Sequence, residues 1–276
     1  MINVYKILFV LLIGFHIQIM AETEQIFSIA SLNIWHDQSN WSDRQSYILD
    51  VYSKLSPDVI CLQEVLQNSK LVNQAQTMAE QLGYHFFFGS ADEPTDEKRF
   101  GNAILTKHPV LEMEQKKLEP YQDYRVVVRL RIQWNGKPVS IYCTHLHYGY
   151  DDENVRMEQV QDLNKYIHQT AYTDPVFLAG DFNAGPKRKE IQWITKYFQD
   201  AFSILYPGAD GVTWDEIHSP HVKHSHIDFQ RIDYIFFKKN TLIHPQKFKI
   251  LFAEPNNNGV WGSDHYGVFG EFVISN

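Results

Sequence analysis

The strongest constraint on the fold lies at residues 176–186, where the sequence VFLAGDFNAGP changes abruptly from apolar to polar. A short apolar run bounded by Gly and Pro predicts a buried β-strand followed by a tight turn. Asp181 and Asn183 would then lie at the carboxyl end of that strand, where α/β enzymes keep polar groups. The alternative is a simple turn before a helix over residues 187–198, because Asp and Asn are common turn and cap residues.

Three earlier segments end in the same way. Apolar strands are predicted before Asn33, Glu64 and His145, and each strand delivers a polar side chain to its end. Taken one at a time, these residues also fit a helix cap, an exposed carboxylate or a polar loop position. Their recurrence at successive strand ends is what favours a shared site.

Two later segments extend the pattern. Asp233 lies inside the apolar run of residues 230–237, and a buried carboxylate is costly unless it has a partner. Asp264 and His265 stand side by side before the final strand, where they fit either a turn or a site.

The segments between these strands carry helix and hairpin signals. Asn135-Gly136 predicts a tight hairpin, since both residues tolerate positive φ. The first helix would be capped by Ser42 or Asp43. The remaining predicted elements are helices over residues 42–55, 70–82 and 153–169 and strands over residues 84–88, 100–107 and 126–132. No internal repeat or linker is evident, so one domain over residues 22–276 is expected.

Composition limits the possible functions. With 44% hydrophobic residues among 276, the chain can build a sizeable core. A net charge of -8 argues against a broad basic face for nucleic acid. It does not exclude a nuclease, because a bound metal ion can supply the local positive charge.

The first residues differ from the rest of the chain. Lys6 precedes a short apolar run, and Ala21 offers a small residue for cleavage, so residues 1–21 match a secretory signal peptide better than a membrane anchor. This predicts a secreted or periplasmic protein with no transmembrane span in the mature chain. Cys61 and Cys143 both lie in apolar strands and could be paired or free.

Taken together, six segments resemble the endonuclease/exonuclease/phosphatase superfamily, which includes deoxyribonuclease I, neutral sphingomyelinases and inositol polyphosphate phosphatases. They occur in the family's order along nearly the whole mature chain. These segments are Leu32-Asn33-Ile34-Trp35, Leu62-Gln63-Glu64-Val65, Thr144-His145, Gly180-Asp181-Phe182-Asn183, Arg231-Ile232-Asp233-Tyr234 and Ser263-Asp264-His265. The resemblance implies an α/β four-layer sandwich, with two packed mixed β-sheets flanked by helices.

The resemblance also implies a metal-dependent phosphodiesterase. Glu64 would be the main ligand of Mg²⁺, with Mn²⁺ as the alternative ion, and Asn33 and Asp264 would complete the metal site. Oxygen ligands suit Mg²⁺, which keeps several waters and binds substrate phosphate directly.

The remaining family positions would carry the catalytic roles. His265 would be the general base, oriented by Asp233, and Asp181 could share that role. Asn183 and His145 would donate to the non-bridging phosphoryl oxygens. Arg125 is a further candidate for binding substrate phosphate, with a surface salt bridge as its alternative.

The substrate is less constrained than the reaction. Thr144-His145-Leu146-His147 and Arg231-Ile232-Asp233-Tyr234 look most similar to neutral sphingomyelinases. A phospholipid headgroup is therefore favoured over nucleic acid, and a secreted deoxyribonuclease-like endonuclease or a non-catalytic binding module are the alternatives. Tyr148, Tyr150 and Trp261 could form an aromatic rim around the site or only pack. The histidines of residues 218–226 could bind a transition metal, but a plain polar loop is favoured.

Overall fold

The computed structural model of the chain describes residues 25–222, 229–239 and 243–275. The strands are β1 (Ile26–Asn33), β2 (Val59–Gln67), β3 (His85–Ser90), β4 (Arg99–Thr106), β5 (Val110–Lys117), β6 (Val126–Trp134), β7 (Lys137–His145), β8 (Val176–Asp181), β9 (Phe198–Asp200), β10 (Trp214–Asp215), β11 (Phe229–Gln230), β12 (Asp233–Lys238), β13 (Ile243–Leu251) and β14 (Gly267–Ile274). The helices are α1 (Trp41–Leu55), α2 (Gln74–Leu82), α3 (Glu153–Thr170), α4 (Lys189–Ile194) and α5 (Ala201–Leu205).

Twelve of these strands form two mixed sheets of six. The first sheet has the order β13-β14-β1-β2-β4-β3, and the second has the order β5-β6-β7-β8-β12-β9. Each sheet contains one parallel pair, β1 with β2 and β7 with β8, and its other neighbours are antiparallel. A long helix joins the strands of each parallel pair, α1 in the first sheet and α3 in the second. The two halves therefore share one arrangement of strands, although the sequence shows no repeat.

Three apolar clusters hold the layers together. The largest fills the space between the sheets, where Phe177 lies 4.9 Å from both Phe27 and Phe272 between ring centroids. A second cluster packs α3 and α4 on the outer face of the second sheet, and a third packs α1 and α2 on the first. Full burial of one such phenylalanine contributes roughly 1.5–3 kcal/mol. The expected four-layer sandwich of two packed sheets flanked by helices is confirmed.

Two local expectations are also resolved. Asn135 and Gly136 have φ angles of 47° and 80° and join β6 to β7 in a tight hairpin, as predicted. Cys61 and Cys143 are both buried and free, so among the described residues they add no disulfide.

Two strands and the starts of two helices differ from the sequence-based expectations. Strands β5 and β13 were not predicted, because both are edge strands with largely exposed side chains, and β13 carries Pro245 at a register shift. Helix α2 begins at Gln74 rather than Lys70, since the Asn73 side chain accepts from the amides of Ala75 and Gln76. Helix α1 starts at Trp41, directly after Asn40, so neither Ser42 nor Asp43 is its cap.

Candidate active site

The predicted polar residues meet at one edge of the sandwich. Strands β1, β7 and β8 end there, β12 begins there, and the turn before β14 lies beside them. Strand β2 does not end at Glu64 as expected but continues to Gln67, and Glu64 reaches the site from a bulge within it. The cleft between them has a volume of about 350 Å³. Its lining consists of Glu64, His145, Tyr148, Tyr150, Asp181, Asn183, Trp214, Ile232, Asp264 and His265.

Backbone geometry aims two of these groups into the cleft. Glu64 has a φ of 57° and lies at a register shift between β2 and β4, a bulge that turns its carboxylate away from the regular strand. Asn183 has a φ of 49°, and its amide donates to Asp181 Oδ1 at 2.9 Å. Asp181 and Asn183 thus form a side-chain-stabilised turn and still face the cleft.

Asn33 connects the two sheets at the centre of the site. Its Nδ2 donates to Asp181 Oδ2 at 3.0 Å and to Glu64 Oε1 at 3.2 Å. Its Oδ1 accepts from the amide of Trp35 at 3.0 Å, which fixes the orientation of the carboxamide. The side chain therefore holds a carboxylate from each sheet at a set separation.

His265 and Asp233 form a buried pair. Nδ1 of His265 lies 3.0 Å from Asp233 Oδ2, and Nε2 lies 3.7 Å from Asp181 Oδ2. Burial alone would lower the pKa of His265, but Asp233 and Asp181 raise that pKa well above its usual range. At neutral pH the ring therefore carries a positive charge and faces the cleft through Nε2.

The residues that support this pair, Thr213 and Trp214, were not predicted from the sequence. The hydroxyl of Thr213 accepts from the amides of Ile232 and Asp233 at 3.0 Å and 3.1 Å, and the ring of Trp214 packs 4.7 Å from that of His265. Trp214 begins the two-residue strand β10 and Thr213 directly precedes it, and so short an element gives no motif or periodicity in the sequence.

Two acids of the cleft have raised pKa values. Burial raises the pKa of Asp181 to about 7, with a further rise from the charge of Asp233, while His265 opposes the shift. Burial likewise raises the pKa of Asp264 to about 6, with a contribution from Glu64 and opposition from His265. The cleft therefore favours additional positive charge near these carboxylates.

His145 lies on the opposite wall from Glu64's strand. Its Nε2 is 3.0 Å from Asn183 Nδ2 and 3.4 Å from Asp181 Oδ2. Burial lowers the pKa of His145 well below its usual range, and the charges of Arg125 and His265 add to that shift. The ring is therefore neutral at physiological pH.

Arg125 lies outside the cleft lining. Its Nε is 3.6 Å from Asp123 Oδ2, the salt bridge that the sequence offered as the alternative to a phosphate contact. Its positive charge still reaches the site through its effect on the pKa of His145.

The aromatic rim differs partly from expectation. Tyr148 and Tyr150 do line the cleft, and Tyr148 is 72% exposed. Trp261 does not belong to the described lining and stacks on Tyr266 instead, while Trp214 takes the rim position. Of the four histidines between residues 218 and 226, His224 and His226 lie outside the described residues, and His218 pairs with Asp215 at 2.8 Å.

The oxygen-rich lining fits a divalent cation. Donor atoms of Asp181, Asp233 and His265 lie within 4.8 Å of one another. However, Asp233 and His265 are already paired with each other, and Asp181 already accepts from Asn33 and Asn183. Glu64 is half-buried, and its charge acts on the nearby Asp264. Two carboxylates in such a position are ligands that Mg²⁺ or Mn²⁺ prefers.

A buried arginine braces each half of the site. Arg44 is the fourth residue of α1, and its guanidinium donates to five backbone oxygens. Four acceptors belong to the loop after β1, and the fifth is Gly262, just before the turn that carries Asp264. This side chain fixes both loops to one helix.

Arg156, the fourth residue of α3, does the same for the loop after β7. It pairs with Glu190 of α4 at 2.6 Å and donates to the carbonyls of His147, Gly149 and Tyr150. The loop that presents the two rim tyrosines is therefore anchored from beneath.

The fold and this constellation define a class of protein. The family model described as the Endonuclease/Exonuclease/phosphatase family matches residues 30–265, so the chain belongs to that family. It is a metal-dependent phosphoric ester hydrolase, and the alternative of a non-catalytic binding module is not retained.

The chain is also similar to individual relatives and solved structures. Tyrosyl-DNA phosphodiesterase 2 of Xenopus tropicalis is 23% identical over 262 residues, which cover 92% of this chain and 68% of the relative. Nocturnin of Drosophila melanogaster is 31% identical over 161 residues, or 53% of this chain and 24% of nocturnin. The crystal structure of D. rerio TDP2 complexed with a single-strand DNA product superimposes with a TM-score of 0.77 at 22% identity, covering 90% of this chain and 98% of that one. At this identity the structural match shows the fold alone.

The residues on which the expected export depends lie outside the part of the chain that the structure describes. Residues 1–21, the expected signal peptide, precede the first described residue. Within the described ranges, no helix combines the length and the apolar character needed to cross a bilayer.

Proposed function

We propose that the chain is an exported, Mg²⁺-dependent phosphodiesterase that cleaves phosphodiester bonds of single-stranded nucleic acid. The observation that carries the reaction is the cleft itself, in which Asn33 holds Glu64 and Asp181 from opposite sheets beside His265. The relatives that span 92% of the chain are tyrosyl-DNA phosphodiesterases, which supports the choice of substrate.

Glu64 and Asp264 would hold the metal ion, and Asn33 would orient Glu64. When bound, the ion supplies Lewis-acid stabilisation of charge on the phosphoryl oxygens. Oδ1 of Asn33 accepts from the amide of Trp35 and keeps a second lone pair, so Asn33 could also complete the metal site.

Asp181 is the better placed of the two candidates for water activation. A carboxylate with a pKa of about 7 can accept a proton from water near neutral pH. His265 carries a positive charge held by Asp233, so it would donate from Nε2 to a phosphoryl oxygen. Asn183 and the neutral His145 line the same wall, and they would bind a second oxygen once the Asn183 amide exchanges its contact with His145 Nε2 or the Leu146 carbonyl for that oxygen.

The rim supports a substrate with flat bases. Tyr148 and Tyr150 line the cleft beside Trp214, and aromatic side chains bind unpaired bases by stacking. The guanidinium of Arg188 lies 4.2 Å from the Tyr150 ring centroid, so a positive charge is available at this rim for the backbone phosphates.

The second candidate substrate is sphingomyelin. The net charge of -8 disfavours strong affinity for nucleic acid and leaves a neutral, zwitterionic headgroup acceptable. Short segments that resemble neutral sphingomyelinases support the same candidate.

The test of the reaction is Glu64→Gln, with Glu158→Gln as the matched control, because Glu158 is exposed on α3 away from the cleft. Hydrolysis of bis-p-nitrophenyl phosphate in Mg²⁺ should fall more than about hundredfold in Glu64→Gln and remain at the wild-type rate in Glu158→Gln. Equal activity of Glu64→Gln and wild type would refute the metal role of Glu64.

The substrate is tested with a panel. Wild-type protein is assayed on single-stranded DNA, RNA, inositol phosphates and sphingomyelin vesicles, with and without chelator. We expect chelator-sensitive cleavage of single-stranded DNA at the highest kcat/KM. Faster turnover of sphingomyelin would replace this proposal with the second candidate.

Export is tested separately. The full chain is expressed in a bacterial host, and the amino terminus of the protein outside the cytoplasm is sequenced. A terminus at Glu22 supports cleavage after Ala21, whereas retention of Met1 in the cytoplasm refutes export.

A further inference from the structure

A second cavity lies at the far end of the second sheet. Its volume is about 520 Å³, and it is formed by the last turns of α3, the segment before β9 and the end of β12. Strand β12 carries Asp233 at its first position and Lys238 at its last, so about 17 Å of strand separates the catalytic cleft from this cavity. The cavity is therefore distinct from the active site.

The lining of this cavity is strongly basic. Lys165, Lys196, Lys238 and Lys239 come from three separate parts of the chain and meet around it, and His168 lies among them. No carboxylate belongs to the lining that the structure describes, and none of the four lysines forms an ion pair within residues 25–222, 229–239 and 243–275. Such clustering is notable in a chain of net charge -8.

A simpler explanation accounts for only part of this cluster. Cations near a helix carboxyl terminus are favoured by the helix dipole, which explains His168 in the last turn of α3 and Lys196 just after α4. It does not explain Lys165, which lies more than one turn before the end of α3, or Lys238 and Lys239 at the end of a strand. Four like charges around one cavity repel one another, and an anion would relieve that repulsion.

The floor of the cavity is apolar. Ile167 and Phe198 are buried beneath it, and Tyr197 is 45% exposed at its side with Trp193 packed 5.0 Å from its ring. The amide of Lys239 donates to the carbonyl of Tyr197 at 3.0 Å, which ties the aromatic wall to the lysines. A ligand that complements both surfaces carries a flat apolar part and a compact anionic group.

We propose that this cavity is an accessory binding site for a small organic phosphate with an aromatic ring, the chemical class of nucleotides. The lysine ammonium groups bind the phosphate as point charges, and the ring contacts Tyr197 and the apolar floor. The site is independent of phosphodiester hydrolysis in the cleft.

Binding is measured by calorimetry in chelator with adenosine monophosphate, adenosine and inorganic phosphate. The test variant is Lys196→Gln/Lys239→Gln. The control is Lys70→Gln/Lys249→Gln, which removes the same charge at exposed positions outside the cavity lining. We expect the monophosphate to bind wild type and the control equally and the test variant about tenfold more weakly, because two charge contacts are lost.

The other two probes divide the ligand into its parts. Adenosine should bind at least tenfold more weakly than the monophosphate, and so should inorganic phosphate. Equal binding of adenosine would overturn the phosphate part of the proposal, and equal binding of inorganic phosphate would overturn the ring part. Unchanged monophosphate affinity in Lys196→Gln/Lys239→Gln would overturn the site.

The location is mapped by pyridoxal phosphate, whose aldehyde condenses with a lysine amine to an imine and water, followed by borohydride reduction to a stable amine. Mass spectrometry should find the label at cavity lysines, with protection by adenosine monophosphate. Labelling spread evenly over Lys70, Lys249 and the cavity would contradict the proposal. Bis-p-nitrophenyl phosphate hydrolysis should be unchanged in the cavity variant, so failure of this site and failure of the proposed reaction are distinguishable.

Discussion

Arg44 is the residue whose removal should reveal how the catalytic loops are held. It is 2% exposed, and burial lowers its pKa only to about 10, against the raising effect of Asp264, Asp37 and Glu64, so it stays charged at neutral pH. It donates to the carbonyl oxygens of residues 34, 35, 36, 38 and 262 at distances between 2.7 Å and 3.2 Å. We predict that Arg44→Met, which keeps the length and most of the volume, removes all five contacts.

The magnitude follows from the acceptors left behind. A buried acceptor without a donor costs about 1–3 kcal/mol, and some of the loop carbonyls can turn toward water. We therefore expect a loss of about 4 kcal/mol, which is similar to breaking a buried charge pair. Since domains have total stabilities of roughly 5–15 kcal/mol, the variant should still fold at low temperature.

The free energy of unfolding is measured by urea denaturation with linear extrapolation, checking that the slope is unchanged. Lys54→Met is the matched control, because Lys54 is exposed on the same helix with one ion pair to Asp50, worth at most about 0.5 kcal/mol. A loss below 1 kcal/mol in Arg44→Met, or one no larger than in the control, would refute the bracing role.

Three further predictions follow from the geometry. Gly180→Ala should cost at least about 3 kcal/mol in thermal unfolding, because its φ is 146° and a Cβ would lie 1.9 Å from Thr144 O, whereas Gly208→Ala, with open space, should cost only about 1. Asp58→Asn should cost about 2 kcal/mol above pH 5, because Ser28 and His108 donate to the carboxylate. Although burial opposes ionisation, these bonds hold the pKa of Asp58 below its usual range. The stabilisation by Asp58 is therefore present above about pH 4 and is lost as pH falls further. A difference in the free energy of unfolding between wild type and Asp58→Asn that stays constant down to pH 2 in chemical denaturation would contradict this. The rate of phosphodiester hydrolysis should rise with pH to a plateau, with a midpoint no higher than about 7, because Asp181 must lose its proton and bound Mg²⁺ can only lower its pKa. A midpoint well above 7, or a rate that falls as pH rises from 5 to 8, would exclude Asp181 as the base.

The strand ends of the site were predictable because their signal is local. Asn33, Glu64, His145 and Asp181 each follow an apolar run, and a parallel pair of strands brings both of its carboxyl ends to one edge. The sequence therefore predicted which residues meet. The meeting of the two sheets through Asn33 depends on contacts 148 residues apart, and only the family resemblance could suggest it.

The supporting residues were not predictable for the opposite reason. Arg44 and Arg156 stand in amphipathic helices, where a charged residue normally indicates the solvent-exposed face. Both are buried because loop carbonyls, rather than water, surround them. Strands β5 and β13 were missed because an edge strand needs no continuous apolar run.

The two arginines suggest how one architecture serves both halves of the site. Each is the fourth residue of the helix that follows a central strand, and each donates to backbone carbonyls of the loop at that strand's end. A helix amino terminus carries a partial positive charge, so a guanidinium placed there is unfavourable unless carbonyl oxygens offset it. The loops supply those oxygens, and the arginine in turn fixes them. The halves differ in what the fixed loop presents: the loop after β1 follows Asn33 and supports the metal side of the cleft, whereas the loop after β7 presents the tyrosine rim. Arg156 also pairs with Glu190, so Arg156→Met would leave a buried carboxylate as well as free carbonyls, and its loss of stability should exceed that of Arg44→Met.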